Sequence, residues 1–348
     1  MTLADLGWAL EDLKARLPGY ALARAYDKGN HRLLFATKKY QNTFGDLFRE
    51  FADNLCDDVV DALADRLQTQ AWSSTAFAQA AADLEDSTAI KAAREADALS
   101  QAVDVFWERT KGDARVGGVR RNAIREGDGF AMVQQDQEGR AHIYKQRPEQ
   151  MAVRYSTERP DQIEVAAKVW RAGTRYRANL YYPDGLVERY ATKGLGANGG
   201  LPGLKSFKPL ASTDPDLVAL DLEDWADESG DRLPVYHYPN GEVSEYGQSV
   251  VLKVVPLQDA LNKAVADMLV AMEFHAYPQR WATGVEVEYM PDGVTERQPF
   301  QAGEGRVWRV GSKEAEMGQF ASGDLDGFRN VQADFRLEIA RKGYLAPH

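Results

Sequence analysis

The stretch from Tyr246 to Gly284 constrains this chain more than any other. Between Gly247-Gln248-Ser249 and Tyr277-Pro278, the apolar residues Leu257, Leu261, Val265, Met268 and Met272 recur at steps of four, four, three and four. That is the period of one face of an α-helix. Asp259, Lys263 and Asp267 run down another face, which the pattern predicts to be solvated. Pro256 either occupies the first turn, where its missing N–H costs nothing, or kinks a helix begun near Ser249. From Pro256 to His275 the rod would be roughly 30 Å long at about 1.5 Å per residue. A second helix is predicted over Leu325 to Lys342. Between the two, Trp281 to Glu288 and Gly305 to Val310 read as β-like around a Pro291-Asp292-Gly293 turn. A helix, a small β-rich excursion and a returning helix describe a stalk with a tip.

Upstream, the reading is helices first and then strands, an α+β body. Leu3 to Leu17 is amphipathic, and Asp27 to Thr37 carries turn residues. From Phe44 to Leu67 the apolar residues again fall three or four apart, which predicts a long helix. Ala76 to Ala98 is Ala-rich and acidic, and leads to a helix that packs Leu99, Val103 and Phe106. Gly112 to Glu126 reads as a basic helix closed by Gly127 to Gly129. From Phe130 the period changes to two. Strands are predicted near Phe130 to Gln135, His142 to Gln146, Gln162 to Arg171, Arg175 to Tyr182 and Leu186 to Tyr190, with a tight hairpin at Pro183-Asp184-Gly185. Lys193 to Asp231, rich in Gly, Pro and Asp, reads as a long surface loop, and Pro234 to Pro239 as an extended strand into the central helix.

With 348 residues the chain is long enough for about two domains. Its 53 acidic and 42 basic residues leave a net charge of −11. That argues against affinity built on coating phosphates with Lys and Arg, but is compatible with letting nucleic acid pass without gripping it. Met1 to Leu17 lacks the cationic flank and apolar core of a secretion signal, and no apolar run approaches the roughly 20 residues that span a bilayer. The expectation is therefore a soluble chain made in a reducing cytoplasm. Cys56, the one cysteine, falls in a helical pattern and reads as a buried thiol.

Motifs that carry chemistry are weak. Gly194-Leu195-Gly196-Ala197-Asn198-Gly199 has the dinucleotide-binding spacing, but Gly200, Pro202 and Gly203 follow, so no helix can present its N-terminus to a pyrophosphate. No phosphate-cradling loop ending in Gly-Lys-Ser or Gly-Lys-Thr is present. His31, His142, His237, His275 and His348 lie far apart without metal-ligand spacing, and read as surface or interface histidines. Asp57-Asp58 and Asp324 with Asp326 read as solvated acids at helix ends. Arg115, Arg120, Arg121 and Arg125 form a stripe at helical spacing that reads as pairing with nearby acids. No catalytic, cofactor-binding or metal-binding residue is expected.

Tyr246-Gly247-Gln248-Ser249, Pro256-Leu257-Gln258-Asp259-Ala260-Leu261-Asn262 and Ala276-Tyr277-Pro278-Gln279-Arg280 together resemble the tailed-bacteriophage portal proteins related to the portal of phage SPP1. So do Tyr40 to Leu67, with Phe51-Ala52-Asp53-Asn54 and Val59-Val60-Asp61, and Gly127-Asp128-Gly129-Phe130. The resemblance implies a homo-oligomeric ring, commonly of twelve copies, at one capsid vertex, assembled in the host cytoplasm and retained in the virion. Double-stranded DNA passes through it non-specifically during packaging and ejection. It further implies the terminase motor, head-to-tail connector proteins and the major capsid protein as partners, and no membrane. Residues 1–246 would be the wing, 247–276 the first stem helix, 277–322 the clip and 323–342 the second stem helix. Residues 343–348 would begin a channel loop, with the rest of that loop and a helical crown beyond the last residue.

On this reading Leu257, Leu261, Val265, Met268 and Met272 pack against Phe328, Phe335 and Ile339 or against a neighbouring subunit. Asp259, Lys263, Asp267, Arg329, Asp334 and Arg336 are the stem charges near the channel. A heterologous interface repeated by rotation closes into such a ring. Two other readings stay open from the residues: a phage or cellular adaptor using the same body for protein binding alone, and a nucleotide-binding enzyme using the Gly-rich loop.

Overall fold

Leu6, Ala9, Leu10 and Leu13 repeat at helical spacing in the first helix, α1 (Thr2–Asp27), and all four are buried against a sheet. The computed structural model describes residues 2–32, 53–67, 69, 98, 100–135, 138–195, 200–210, 233–242, 244–276, 280–284, 291, 315–319 and 326–345. After α1 come α2 (Cys56–Arg66), helical residues 100–109 and α3 (Gly112–Glu126). The strands β1 (Asp128–Gln135), β2 (Ala141–Gln146), β3 (Met151–Tyr155), β4 (Ile163–Ala172), β5 (Arg175–Tyr181), β6 (Val187–Thr192), β7 (Phe207–Pro209) and β8 (Val235–Pro239) follow. The described chain closes with α4 (Val250–Ala276), the strand pair β9 (Arg280–Thr283) and β10 (Glu316–Gln319), and α5 (Asp326–Lys342).

The α+β expectation holds, but the body carries two antiparallel sheets rather than one. The larger runs β3-β4-β5-β6-β7 and the smaller β2-β1-β8. Alternation along each strand sends successive side chains to opposite faces, and both faces of both sheets are used. Met151, Val153, Ala166 and Tyr181 of the larger sheet meet Phe130, Met132 and Val235 of the smaller one. On its other face the larger sheet offers Ala152, Ala167, Val169, Ala178 and Leu180 to α1. The smaller sheet offers Ala131 and Ile143 to Val116 and Val119 of α3. The result is a stack of α3, small sheet, large sheet and α1. Each buried leucine in such layers contributes about 1.5–3 kcal/mol.

Three strands escaped the sequence reading, among them β10, which follows the predicted Gly305 to Val310 segment. β3 is buried on both faces and shows no alternation of polarity, and β7 is a three-residue edge strand within what reads as the Lys193 to Asp231 loop. The first part of the predicted helix Phe44 to Leu67 lies outside the described residues, as do residues 76–97, Leu99, residues 211–231, 285–290 and Gly305 to Val310. Cys56 is fully buried, as expected. Burial, aided by Asp57, Asp259 and Asp27, pushes its thiol up to about 12, which leaves it unreactive.

One crossing fixes how β1, β8 and α4 meet. Gly127 ends α3 in the left-handed region at φ 98°, with its N–H donating to Ala123 O at 2.8 Å. Its carbonyl then accepts the Asn240 N–H at 2.7 Å, and the Gln248 N–H donates to Asn240 O at 3.0 Å. Gly247 lies so close that a Cβ there would sit 2.1 Å from Gly127 O and 2.3 Å from Asn240 N. Gly247→Ala should therefore separate the two backbones and destabilise the fold by about 2–4 kcal/mol. Denaturant unfolding would check this, and a loss under about 0.5 kcal/mol would show that the crossing relaxes freely.

Candidate functional site

The site is built on α4 and α5, which pack along one another over several turns. Ser249 caps α4: its Oγ accepts the Leu252 N–H at 3.1 Å and donates to Arg125 O, tying the helix start to the end of α3. The helix thus begins near Ser249, with Pro256 inside it on the exposed side. Val250, Val251, Val254 and Val255 bury one face against Ala23 and Tyr26 of α1, Val59 and Val60 of α2, and Ile124 of α3. β-Branched residues favour strands when left to themselves, so this turn of helix is held by its packing.

The next turns carry a buried polar seam that the periodicity did not reveal. Gln258 Oε1 accepts from the Leu55 N–H at 3.0 Å, and its Nε2 donates to Asp53 O at 2.7 Å. Asp259, expected on a solvated face, is 4% exposed and accepts the Tyr26 hydroxyl at 2.6 Å. The correction has a plain cause: α1 lies over that face and supplies a donor, so the position need not be wet. Burial pushes the Asp259 carboxyl up from the ordinary carboxylate range, with the Tyr26 bond, His31 and Arg32 acting against it. Asn262 Nδ2 donates to His31 Nδ1 at 2.8 Å, and His31 Nε2 faces Asn54 Oδ1 at 3.1 Å.

Beyond Asn262 the helix leaves the body and keeps α5 for company. Leu257, Leu261 and Val265 share a core with Phe335 and Ile339. Gln332 Nε2 lies 3.3 Å from Met268 Sδ. Met272, expected to pack on α5 or against a neighbouring subunit, is 47% exposed in the single chain. Phe328 is half-buried, and on α5 only Gln332 and Ile339 are buried. Val331 and Leu337 stand 44% and 43% exposed.

The predicted charges separate into three kinds. Lys263 and Asp267 pair with each other one turn apart, and Arg329 lies 3.6 Å from Asp326. Arg336 reaches across to Asp53 at 3.0 Å. Asp334 is exposed. Ion pairs of this exposure contribute about 0–1 kcal/mol each, so they shape the surface more than they hold the fold.

Where the body meets α4, a second polar cluster surrounds Asp128. This carboxylate accepts from Tyr20 Oη at 2.6 Å, His237 Nε2 at 2.9 Å and the Gly247 N–H at 2.9 Å. His237 also lies 2.8 Å from Tyr155 Oη and stacks on Phe130 with ring centres 4.5 Å apart. Its side chain is fully buried, against the expectation of a surface histidine. The interior of β8 places it there, a position five residues of alternation cannot reveal.

Beside this cluster a cleft of about 450 Å³ is lined by Arg16, Tyr20, Glu126, Asp128, Tyr246 and Lys253, among others. Arg16 pairs with Asp12 at 2.5 Å and lies 3.8 Å over the Tyr246 ring, while Glu126 takes Arg24 and Arg125, each at 2.7 Å. Arg16, Glu126 and Asp128 each have a charged or polar partner and Lys253 reaches the Tyr344 hydroxyl at 3.3 Å, the arrangement of a structural junction.

The arginine stripe of α3 divides its contacts. Arg121 pairs with Asp27 and Asp61, and Arg125 with Asp27 and Glu126. Arg115 and Arg120 donate instead to the carbonyls of Ile143 and Leu67. Residues 196–199 of the Gly-rich loop lie outside the described residues, and a 3₁₀ turn at Leu204–Ser206 and then β7 follow it, with no α-helix among residues 200–210. Among the described residues no three His, Cys, Asp or Glu side chains converge as a metal site, and no helix is long and apolar enough to cross a membrane.

Three comparisons bear on the chain as a whole. A family model described as "Phage portal protein, SPP1 Gp6-like" matches residues 71–326. A solved structure titled "Neck of empty GTA particle computed with C6 symmetry" is similar at 13% identity and a TM-score of 0.40, over 88% of this chain and 67% of that one. No curated protein matches the chain.

The buried Asp259 yields a pH-dependent expectation. Its folded carboxyl binds protons more tightly than the unfolded one, so stability is lost as pH rises through the folded value. Asp259→Asn keeps an acceptor for Tyr26 and removes the buried charge. It should raise the urea midpoint at pH 7 to 8, with the gain vanishing below about pH 4, the ordinary aspartate range. A lower midpoint at pH 7 would show that the charge itself holds the seam.

Proposed function

Because the family model spans about three quarters of its length, the chain belongs to the SPP1 Gp6-like phage portal proteins, and from that premise we propose that it is a subunit of the portal ring at the capsid vertex. In this reading copies of the chain close a ring around a channel for double-stranded DNA, and the role is structural rather than catalytic. The family match is the observation that carries the proposal. The helix pair around a β-strand pair and the half-exposed apolar residues of α5 support it.

We assign residues 1–246 to the wing, α4 and α5 to the stem, and residues 277–322, which include β9 and β10, to the clip. The clip is the expected docking surface for the terminase motor and then the head-to-tail connector proteins, with the wing toward the major capsid protein. Val331, Leu337 and Met272 are half-exposed on the helix pair, where a neighbouring copy would cover them. A heterologous contact of this kind repeats by rotation until the ring closes. The ring is commonly of twelve copies in the family, built in the host cytoplasm and kept in the virion.

Lys263, Asp267, Arg329, Asp334 and Arg336 remain the proposed channel charges, and Asp259 leaves that set because it is buried. Mutual pairing of Lys263 with Asp267, and of Arg336 with Asp53, lowers the free cationic charge a phosphate backbone would meet. With a net charge of −11, the subunit suits DNA that must slide in both directions, since each tight phosphate contact adds a cost of release.

Negative-stain electron microscopy of the purified protein should show rings with a central hole wide enough for duplex DNA. The double variant Val331→Glu with Leu337→Glu should keep its thermal midpoint within a few degrees while the rings fall to single subunits. Rings that persist in the variant would place the contact elsewhere, and a wild-type monomer at every concentration and salt would overturn the reading.

A further inference from the structure

His31, in the segment that follows α1, meets Asn262 in the middle of α4, and their hydrogen bonds determine each other's state. Asn54 sets the polarity: its Oδ1 accepts the Cys56 N–H at 3.2 Å and its Nδ2 donates to Asp27 O at 3.2 Å. The oxygen of Asn54 therefore faces His31 Nε2 at 3.1 Å, and that nitrogen must carry the proton. In the neutral ring, Nδ1 is then the acceptor for Asn262 Nδ2–H at 2.8 Å. This orientation leaves the Asn262 Oδ1, in a residue only 1% exposed, with no hydrogen-bond donor among the described residues. A buried acceptor left unmade costs about 1–3 kcal/mol.

Protonation of His31 reverses the requirement. Both ring nitrogens become donors, so Nδ1–H would point at the Asn262 NH₂. A half-turn of the amide cures this, since it brings Oδ1 to the imidazolium and replaces the orphaned oxygen with a donor, one turn from the Asp259 carboxylate. We infer that His31 and Asn262 form a two-state hydrogen-bond latch between the segment that follows α1 and the middle of α4, in which the direction of the bond, and with it the seat of α4, is set by one proton.

The groups around the ring set the direction of the effect. From α1, Tyr26 lies 4.9 Å from the His31 ring centre and donates to Asp259, and Asp27 is engaged by Arg121 and Arg125. Arg32 follows in the chain and donates its backbone N–H to Tyr26 Oη at 3.3 Å. From α2 come Cys56 and Asp57, and from α4 Asp259; the hydrogen bonds to the Asn54 side chain and the Tyr26 backbone, and then both carboxylates, favour the charged ring. Burial opposes them and is the larger influence, which holds His31 below the ordinary imidazole value. A histidine lowered on folding contributes its stability above about pH 6.5, and that stability is lost as pH falls. Protonating His31 therefore lowers the stability of the folded chain, and the latch predicts that this loss is felt at α4. This holds for the single chain whether or not the ring reading stands.

Nitrogen NMR of the full chain labelled with ¹⁵N-histidine tests the latch, with the His31 signals identified by their loss in His31→Gln. At neutral pH the expected signature is a protonated Nε2 and a bare Nδ1, with a single titration below about pH 6.5. The Nδ1–H tautomer at neutral pH would overturn the proposal without any substitution. Asn262→Asp places a carboxylate at Nδ1 and should raise the midpoint by at least one pH unit, a tenfold gain in proton affinity; an unmoved midpoint would overturn it. Amide exchange in residues 258–266 should quicken through the same midpoint in the wild type and not in His31→Gln. A proton that binds without changing that exchange would refute the claim about the seat of α4.

Discussion

The structure depends on how the first half of α4 is seated. Its four valines would not sustain a helix in water; they do so because α1, α2 and α3 each bring an apolar face to the same place. Removing that contact would take apart more than one layer at once. α1 reaches it with Ala23 and Tyr26 while its other end covers the five-stranded sheet with Leu6, Leu10 and Leu13. A single helix thus couples the sheet stack to the helix pair, and the two parts of the protein share one rigid element.

Polar contacts give this seat its register. Apolar packing alone tolerates sliding, whereas Gln258, Asp259 and Asn262 each have one partner set within hydrogen-bond distance. A shift of α4 by a residue would leave several buried groups without partners, each at a cost of about 1–3 kcal/mol. The Gly127 and Gly247 crossing does the same at the helix start, where Asp128 gathers Tyr20, His237 and the Gly247 N–H. Beyond Asn262 this kind of anchoring ends, and the contacts described there are with α5. The helix pair is accordingly fixed at its base and leaves half-exposed apolar surface on α5.

Charge follows the same division. In the body Arg16 and Arg24 of α1 and Arg121 and Arg125 of α3 are spent on Asp12, Asp27, Glu126 and Glu149, which makes them part of the fold. On the helix pair beyond the buried Asp259, Lys263, Arg329 and Arg341 pair along their own helix and Arg336 reaches Asp53. A chain of net charge −11 whose helix-pair cations Lys263, Arg329, Arg336 and Arg341 lie beside carboxylates offers a polyanion little to hold.

Much of this was legible in the residues. The periods of Leu257 to Met272, of α3 and of β1, β2, β4, β5, β6 and β8 report which element forms, because burying one face of a helix or strand imprints its spacing on the chain. The helix, strand pair and helix order, the α+β class and the portal resemblance were likewise available from the sequence. Tertiary structure alone decided which faces are covered and by what. Asp259 and His237 look solvated in sequence and are buried, because Tyr26 and Asp128 arrive from 233 and 109 residues away. Met272 continues the apolar stripe and is half-exposed in the single chain. Spacing records that a face exists; whether a polar group on it meets water or a distant donor depends on long-range packing, which no local period contains.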